Sequence, residues 1–248
     1  MPEITLAHPW RWLARGARDL ARAPAPGLSH GLCLALFGAL VFGALHARFW
    51  WLAGAFSGFL LVAPVLATGL YAVSRALEQG QRDGLMRVAI AAWWPRGAQA
   101  HRLMAFGALL ALAGTGWVLT SAAFVTVFAP QTVSTPLDFL RHVVLAERGW
   151  VFESWVLLGG ALAAPVFASS VVAIPLLLDR PRMGVRDAVL ASWRVVLAHP
   201  LPMAWWAFLI MALTALAFAT LLVGLVVVVP LIAHASWHAY RDCVPPQD

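Results

Sequence analysis

Histidine is the residue type in this chain best suited to chemistry, because its ring nitrogens bind metals and haem iron and exchange protons near neutral pH. His30, His101, His199, His234 and His238 all fall near one end of an apolar stretch. Ligation would require such residues to converge from different helices, and His30, His234 and His238 are the candidate haem ligands. The alternative is that each ring keeps its body in lipid and its polar tip in water. This alternative is the more common role, so we expect no bound cofactor and no metal.

Two protease signatures are incomplete. His234 and His238 have the spacing of a zinc-protease helix, but the segment between them lacks the glutamate that acts as general base. Ser57 and Gly58 resemble part of an intramembrane serine protease motif, but Gly54 lies one residue too far from Ser57. The predicted spans also lack carboxylates and arginines, which counts against a transporter coupled to protons or cations. The sequence therefore predicts a protein that is not an enzyme.

Small residues recur at helical spacing and predict close packing between helices, which in lipid depends on backbone approach. The predicted packing residues are Gly31, Ala35, Ala39 and Gly43, then Gly54 and Gly58, and finally Gly160, Ala164 and Ala168.

The apolar stretches themselves determine the class of protein. The chain is 62% hydrophobic and 11% charged, whereas charged residues make up about a quarter of a soluble protein. Apolar runs at 28–45, 50–74, 103–128 and 155–178 are each long enough to cross about 30 Å of hydrocarbon. The stretch 201–240 is too long for one crossing, so we predict two helices at about 203–220 and 222–238. One steeply tilted helix is the alternative.

The arginines predict the orientation. Of seventeen basic residues, six spans would leave only Arg48, Arg141 and Arg148 on one side, and the positive-inside rule then puts both termini in the cytoplasm. Arg11, Arg15, Arg18 and Arg22 lie on one face of an amphipathic N-terminal helix, opposite Trp10, Leu13, Ala17 and Leu20. This pattern is typical of a helix in the lipid headgroup layer. The basic residues therefore indicate lipid contact and no nucleic acid.

An internal repeat links three parts of the chain. Residues 82–93 align without a gap on 182–193, and residues 18–24 echo 194–200. Gly58, Pro64 and Arg75 also have the spacing of Gly224, Pro230 and Arg241. We therefore predict an all-α, polytopic bundle of six spans, built as three units of an interfacial helix followed by a helical hairpin.

The predicted organisation is one membrane domain over residues 1–248. Its parts are an amphipathic segment (1–27), hairpin 1 (28–74), an amphipathic linker (75–102), hairpin 2 (103–178), a second amphipathic linker (179–200) and hairpin 3 (201–240). The N-terminal stretch predicts a retained helix rather than a cleaved signal peptide. Cys33 and Cys243 are expected to be free thiols.

A family resemblance is carried by two segments, residues 58–71 continuing into 74–80, and residues 230–241. Together they are similar to a family of proteobacterial integral membrane proteins catalogued as domain of unknown function 2189. The resemblance implies a helical protein of the bacterial inner membrane and carries over no catalytic residues. Some relatives bear a label that likens them to the first subunit of cytochrome c oxidase. A haem–copper core contains a His–His pair, which this sequence lacks, so the label indicates no more than an association with respiratory membranes.

Three functions follow as hypotheses. The leading one is a non-enzymatic accessory, assembly or scaffolding subunit of a larger membrane complex, which associates with lipids and with other membrane subunits or a second copy of itself. The second is a transporter or channel for a small or anionic solute. The third is a haem-binding electron carrier.

Overall fold

The computed structural model describes residues 3–46, 48–93, 97–146 and 150–244, without the side chains of residues 56, 57 and 59–64. Its helices are α1 (His8–Arg22), α2 (Pro24–Leu45), α3 (Phe49–Leu66), α4 (Thr68–Glu78), α5 (Leu85–Ala92), α6 (Ala98–Phe128), α7 (Pro136–Phe139), α8 (Trp150–Ser170), α9 (Ala173–Asp179), α10 (Val185–Ala198), α11 (Pro200–Ala219) and α12 (Leu225–Cys243). A single π turn, Leu140–Val144, follows α7. These residues contain no strand, so the all-α prediction is confirmed.

Four helical segments of the described residues are long and apolar enough to cross a membrane. They are Pro24–Leu45, Ala98–Phe128, Trp150–Asp179 and Pro200–Ala219. The prediction of two helices within 201–240 is also confirmed, because α11 ends at Ala219 and α12 begins at Leu225. The turn between them holds Leu221 and Leu222 at positive φ (52° and 70°). Cys33 and Cys243 are free, as predicted.

Two predicted spans are interrupted. The run 50–74 divides into α3 and α4 at Ala67, and the run 155–178 divides into α8 and α9 at residues 171–172. Pro175 explains the second break, because it has no N–H to donate to the carbonyl of Val171 and its ring crowds that carbonyl. Each run is therefore helical on both sides of one interruption. In contrast, α12 continues through Pro230 and extends to Cys243.

Helices begin or end at equivalent positions in the aligned segments. Helices α5 and α10 both begin directly after the aligned glycines Gly84 and Gly184. In the second aligned pair, residues 18–24 and 194–200, Ala23 and His199 occupy equivalent positions. Their backbone angles are nearly identical, at φ −130°, ψ 62° and φ −133°, ψ 58°. Each precedes a proline, which disfavours helical backbone at the preceding residue. One helix therefore ends and the next begins at the same place in both segments.

The chain forms two compact units. The first unit contains residues Met1–Leu36, Pro64–Phe106 and Phe167–Asp248. Within it, α4, α9 and α12 each contact the other two, while α1 packs on α12, α5 on α4 and α10 on α9. The three helices that close the predicted hairpins therefore meet, and each carries one of the predicted interfacial helices.

The second unit contains residues Phe37–Ala63 and Gly107–Val166. Its core includes Val125, Val143 and Val151, surrounded by aromatic side chains. The indole of Trp155 donates a hydrogen bond to Ser121 Oγ at 2.7 Å. This bond satisfies the polar atom of a large apolar side chain within an otherwise apolar cluster.

Candidate functional site

The first unit holds a cluster of buried polar side chains centred on Asp19. One carboxylate oxygen, Asp19 Oδ2, lies 2.8 Å from Ser74 Oγ and 2.7 Å from His238 Nε2. Ser74 Oγ also lies 2.8 Å from His234 Nδ1. All four side chains are buried. The cluster therefore joins α1, α4 and α12 through one carboxylate, one hydroxyl and two imidazoles.

Glycines allow α1 to approach α12 closely enough for these contacts. A Cβ on Gly16 would lie 2.7 Å from the backbone nitrogen of Ala235 and 2.8 Å from the carbonyl oxygen of Leu231. On α2, a Cβ on Gly31 would lie within 2.7 Å of the Val226 backbone. As residue numbers rise from Gly16 to Gly31 their partners fall from Ala235 to Val226, so the α1–α2 segment runs antiparallel to α12. Asp19 is thereby brought beside His238, which is 219 positions away in sequence.

The hydrogen-bond pattern determines where the protons lie. An ionised carboxylate can only accept, so the single hydroxyl hydrogen of Ser74 is directed to Asp19. Ser74 Oγ must then accept from His234, whose neutral ring carries its hydrogen on Nδ1. This leaves His234 Nε2 as an acceptor, and this atom is buried and has no partner among the described residues.

The surroundings of Asp19 keep it ionised. Burial raises the pKa of this carboxyl, but hydrogen bonds from His238 and Ser74, together with the electrostatic attraction of His238, outweigh burial and hold the pKa below its ordinary value. The carboxylate is therefore the charged centre of the cluster.

A chain of ion pairs extends the cluster toward the ends of α4, α9 and α12. His238 Nδ1 lies 3.6 Å from Glu78 Oε1, within ion-pair distance but beyond hydrogen-bond distance. Glu78 Oε2 lies 3.3 Å from Arg241 Nε. Asp179 then accepts a 2.7 Å hydrogen bond from the Tyr240 hydroxyl. The same carboxylate lies 3.4 Å from Arg75 Nε and 3.8 Å from Arg241 Nη1.

We use the name interhelix polar network for the set Asp19, Ser74, Arg75, Glu78, Asp179, His234, His238, Tyr240 and Arg241. A further contact fixes the N-terminal end of α1 to the end of α12. Asp242 accepts a hydrogen bond from Trp12 Nε1 at 2.8 Å and is bound through both oxygens by Arg15. The network and this contact together attach α1 to α12 at two levels.

The network resembles a nucleophilic triad in composition but not in arrangement. In a Ser–His–Asp triad the histidine lies between the hydroxyl and the carboxylate, so that it can take the hydroxyl proton. Here Ser74 lies between His234 and Asp19, and it is fully buried. No group of three or more His, Cys, Asp or Glu side chains among the described residues is arranged to hold a metal ion. The arrangement can fix helices in place and can carry a proton between neighbouring groups.

The structure brings some of the predicted histidines together. His234 and His238 lie on one face of α12 but bind different partners, Ser74 and Asp19. His30 is buried on α2, one turn after Gly27. A Cβ added to Gly27 would lie 3.8 Å from His234 Nε2. The His30 ring packs on Trp93 at 5.1 Å between centroids, and its Nε2 has no partner among the described residues.

The remaining two of the five histidines singled out from the sequence lie outside the cluster. His101 is exposed, with its Nδ1 3.1 Å from the carbonyl oxygen of Gly97, the residue before α6. His199 is half-buried at the start of α11.

The predicted small-residue stripes are only partly buried. Gly31 and Ala35 are buried by α12 and the end of α11, whereas Ala39 and Gly43 are exposed. Likewise Ala168 is buried, and Gly160 and Ala164 are exposed. A Cβ on Gly54 would touch Val118 at 3.6 Å, while one on Gly58 would meet no atom of the described residues within 4 Å. The Ser57 side chain lies outside the described residues.

The predicted arginine face is present, but α1 also has a third face. Arg11, Arg18 and Arg22 are exposed, and Arg15 is bound by Asp242. The surface of α1 that packs on α12 is formed by Trp12, Gly16 and Asp19, which lie on neither of the two predicted faces. The expectation that α1 only rests among lipid headgroups is therefore incomplete.

Sequence reasoning missed the carboxylates, because it searched within the spans, whereas Asp19, Glu78, Asp179 and Asp242 lie at or near helix ends. One signal was available. Trp12, Gly16 and Asp19 recur at helical spacing, which marks a buried face with a single acidic residue on it. A buried acid requires a basic partner, and the paired histidines of α12 were the candidates for that role.

Comparison with known proteins identifies a family. No curated protein and no solved structure matches the chain. The family model described as predicted integral membrane protein (DUF2189) matches residues 51–179, which is more than half of the chain. The helices that could cross a membrane agree with this description. The chain is therefore a member of the DUF2189 family of predicted integral membrane proteins.

Proposed function

We propose that this protein is a non-enzymatic, six-span protein of the bacterial inner membrane that serves as an accessory, assembly or scaffolding subunit of a larger membrane complex. The observation that carries the proposal is the interhelix polar network. Its carboxylates bind basic or hydroxyl groups of the same chain, so the chemistry-bearing residues hold helices together. Such a network fixes one arrangement of helix ends, which is the property that a scaffold needs.

Local geometry supports the six spans and three units. The breaks at Ala23 and His199 share one backbone conformation, and α5 and α10 begin at aligned positions. The mutual contact of α4, α9 and α12, each bearing one of α1, α5 and α10, agrees with three related units. In this arrangement α3 with α4 is the second span and α12 is the sixth. Both termini then lie in the cytoplasm with most arginines.

The proposal is tested on protein released gently from its native membrane. Size-exclusion chromatography with mass measurement determines its stoichiometry, a visible spectrum detects haem, and reconstitution into liposomes measures proton and anion flux. We expect a complex with at least one other membrane protein at a fixed ratio, no Soret band and no flux above empty liposomes. A lone chain that conducts an anion would support the transporter instead, and a Soret band would support the electron carrier.

A further inference from the structure

A basic cleft is lined by the arginine face of α1, by residues that precede this helix and by Asp242 near the end of α12. Its volume is about 520 Å³, and its charged or ionisable lining residues are Glu3, His8, Arg11, Arg15, Arg18 and Asp242. The proposed scaffolding role does not use this cleft. We propose that it binds the phosphodiester headgroup of one anionic phospholipid.

The cations of the cleft are not equivalent. Arg15 is bound through two nitrogens by Asp242, so its charge is already compensated within the protein. Arg11 and Arg18 are exposed, and Arg18 Nε donates to the Ala14 carbonyl at 3.3 Å, which holds its guanidinium along the helix. Arg11 and Arg18 lie on the same face of α1, about two turns apart. Their guanidinium groups can bind the oxygens of one phosphate from two sides, because planar N–H groups match the geometry of a phosphate.

Two further groups shape the site. His8 Nδ1 accepts the backbone N–H of Thr5 at 2.9 Å, so a neutral His8 carries its hydrogen on Nε2 and offers a third donor. Glu3 is an exposed carboxylate in the lining, and it opposes the binding of an anion. With Arg15 and Asp242 compensating each other, Arg11, Arg18 and Glu3 leave one net positive charge. This charge matches the single negative charge of a phosphodiester.

The surroundings favour a lipid over a free phosphate. Leu6, which precedes α1, is 55% exposed, and Trp10, on the apolar face of α1, is 54% exposed. The Trp10 ring packs edge-on against Trp205 at 6.0 Å, and Trp205 lies at the start of α11, one of the candidate spans. Ala14 lines the cleft and lies between the arginine face and Trp10 on the helix. A phosphate in the cleft would therefore have an apolar surface beside it along which an acyl chain can lie.

The test uses native mass spectrometry of the full-length protein in a neutral detergent, titrated with short-chain phosphatidylglycerol. We expect one lipid to be retained at concentrations where phosphatidylcholine is lost. The double variant Arg11→Gln with Arg18→Gln should weaken retention about 25-fold, since each arginine near an anionic headgroup contributes about fivefold in affinity. Glu3→Gln should strengthen it.

Arg22→Gln is the matched control. Arg22 is exposed on the same face of α1, but it lies outside the cleft, and its loss should change retention by less than about twofold, because water and salt screen an exposed charge that does not contact the phosphate. Equal weakening by Arg22→Gln would overturn the proposal in favour of general surface charge. Competition by inorganic phosphate at the same concentration would assign the cleft to a free anion. If Glu3→Gln weakened retention, the occupant would be a zwitterionic lipid whose ammonium needs that carboxylate.

Discussion

Replacing Asp19 with asparagine isolates the charge at the centre of the interhelix polar network. The substitution preserves the shape of the side chain and leaves one oxygen where the carboxylate has two. Ser74 and His238 both donate to Asp19, at 2.8 and 2.7 Å, from buried positions. Because both donors meet the same oxygen, Oδ2, the amide oxygen of an asparagine can accept from both of them, but neither hydrogen bond is then made to a charged group.

The expected cost follows from these two bonds. A hydrogen bond to a charged group contributes about 1.5–3 kcal/mol and a neutral one about 0.5–1.5 kcal/mol, so each of the two bonds should lose about 1–1.5 kcal/mol. We therefore expect Asp19→Asn to lower the free energy of unfolding by about 2–3 kcal/mol. The assay is equilibrium unfolding in mixed micelles of increasing sodium dodecyl sulfate, followed by tryptophan fluorescence. Asp83→Asn is the control, because Asp83 is exposed, and its effect should remain within about 0.5 kcal/mol.

The pH dependence has a defined sign. The pKa of Asp19 is lowered in the folded protein, so its contribution is fully present above the unfolded value of about 3.9 and is lost as the pH falls through the folded value. The difference between wild type and Asp19→Asn should therefore narrow below about pH 4. If Asp19→Asn were as stable as Asp83→Asn at neutral pH, the network would not hold α1 to α12 and the reasoning would fail.

Three further predictions concern packing, topology and cofactors. Gly31→Ala should destabilise the protein by about 1–3 kcal/mol, because the added Cβ would overlap the Val226 backbone. Gly43→Ala, at the exposed end of the same stripe, should be tolerated. Equal effects of the two substitutions in the unfolding assay would contradict the close packing of Gly31 on α12. Reporters fused after Arg96, after Pro181 and at the C-terminus should report the cytoplasm and one near Ser134 the periplasm, and a periplasmic C-terminus would contradict six spans. The purified protein should show no Soret band and no stoichiometric metal, and a band lost on His234→Ala or His238→Ala would establish haem ligation.

The features that sequence predicted well are those set by local pattern. Apolar length identified the four candidate membrane spans, and the amphipathic linkers predicted at 75–102 and 179–200 contain α5 and α10. The division of 201–240 followed from length alone, since one helix of that size would be about 60 Å long. Each of these inferences depends on residues that are near one another in the chain.

The features that sequence missed depend on distant contacts. Asp19 looks like one more charge on an amphipathic helix until α1 is packed on α12, and its partner His238 is 219 positions away. The small-residue spacing of α2 likewise predicted close packing but could not distinguish Gly31, which is covered, from Gly43, which is exposed.

The central claim, that this protein acts as a subunit and not as an independent transporter or enzyme, is tested most directly by its stoichiometry in the native membrane. The measurement is native mass spectrometry of complexes released directly from membrane vesicles, with the protein at its natural abundance. The account predicts that most copies leave the membrane bound to at least one other integral membrane protein at a fixed ratio. It would be contradicted if the chain were released alone, carrying only lipid, and the same preparation catalysed flux of a proton or an anion in liposomes.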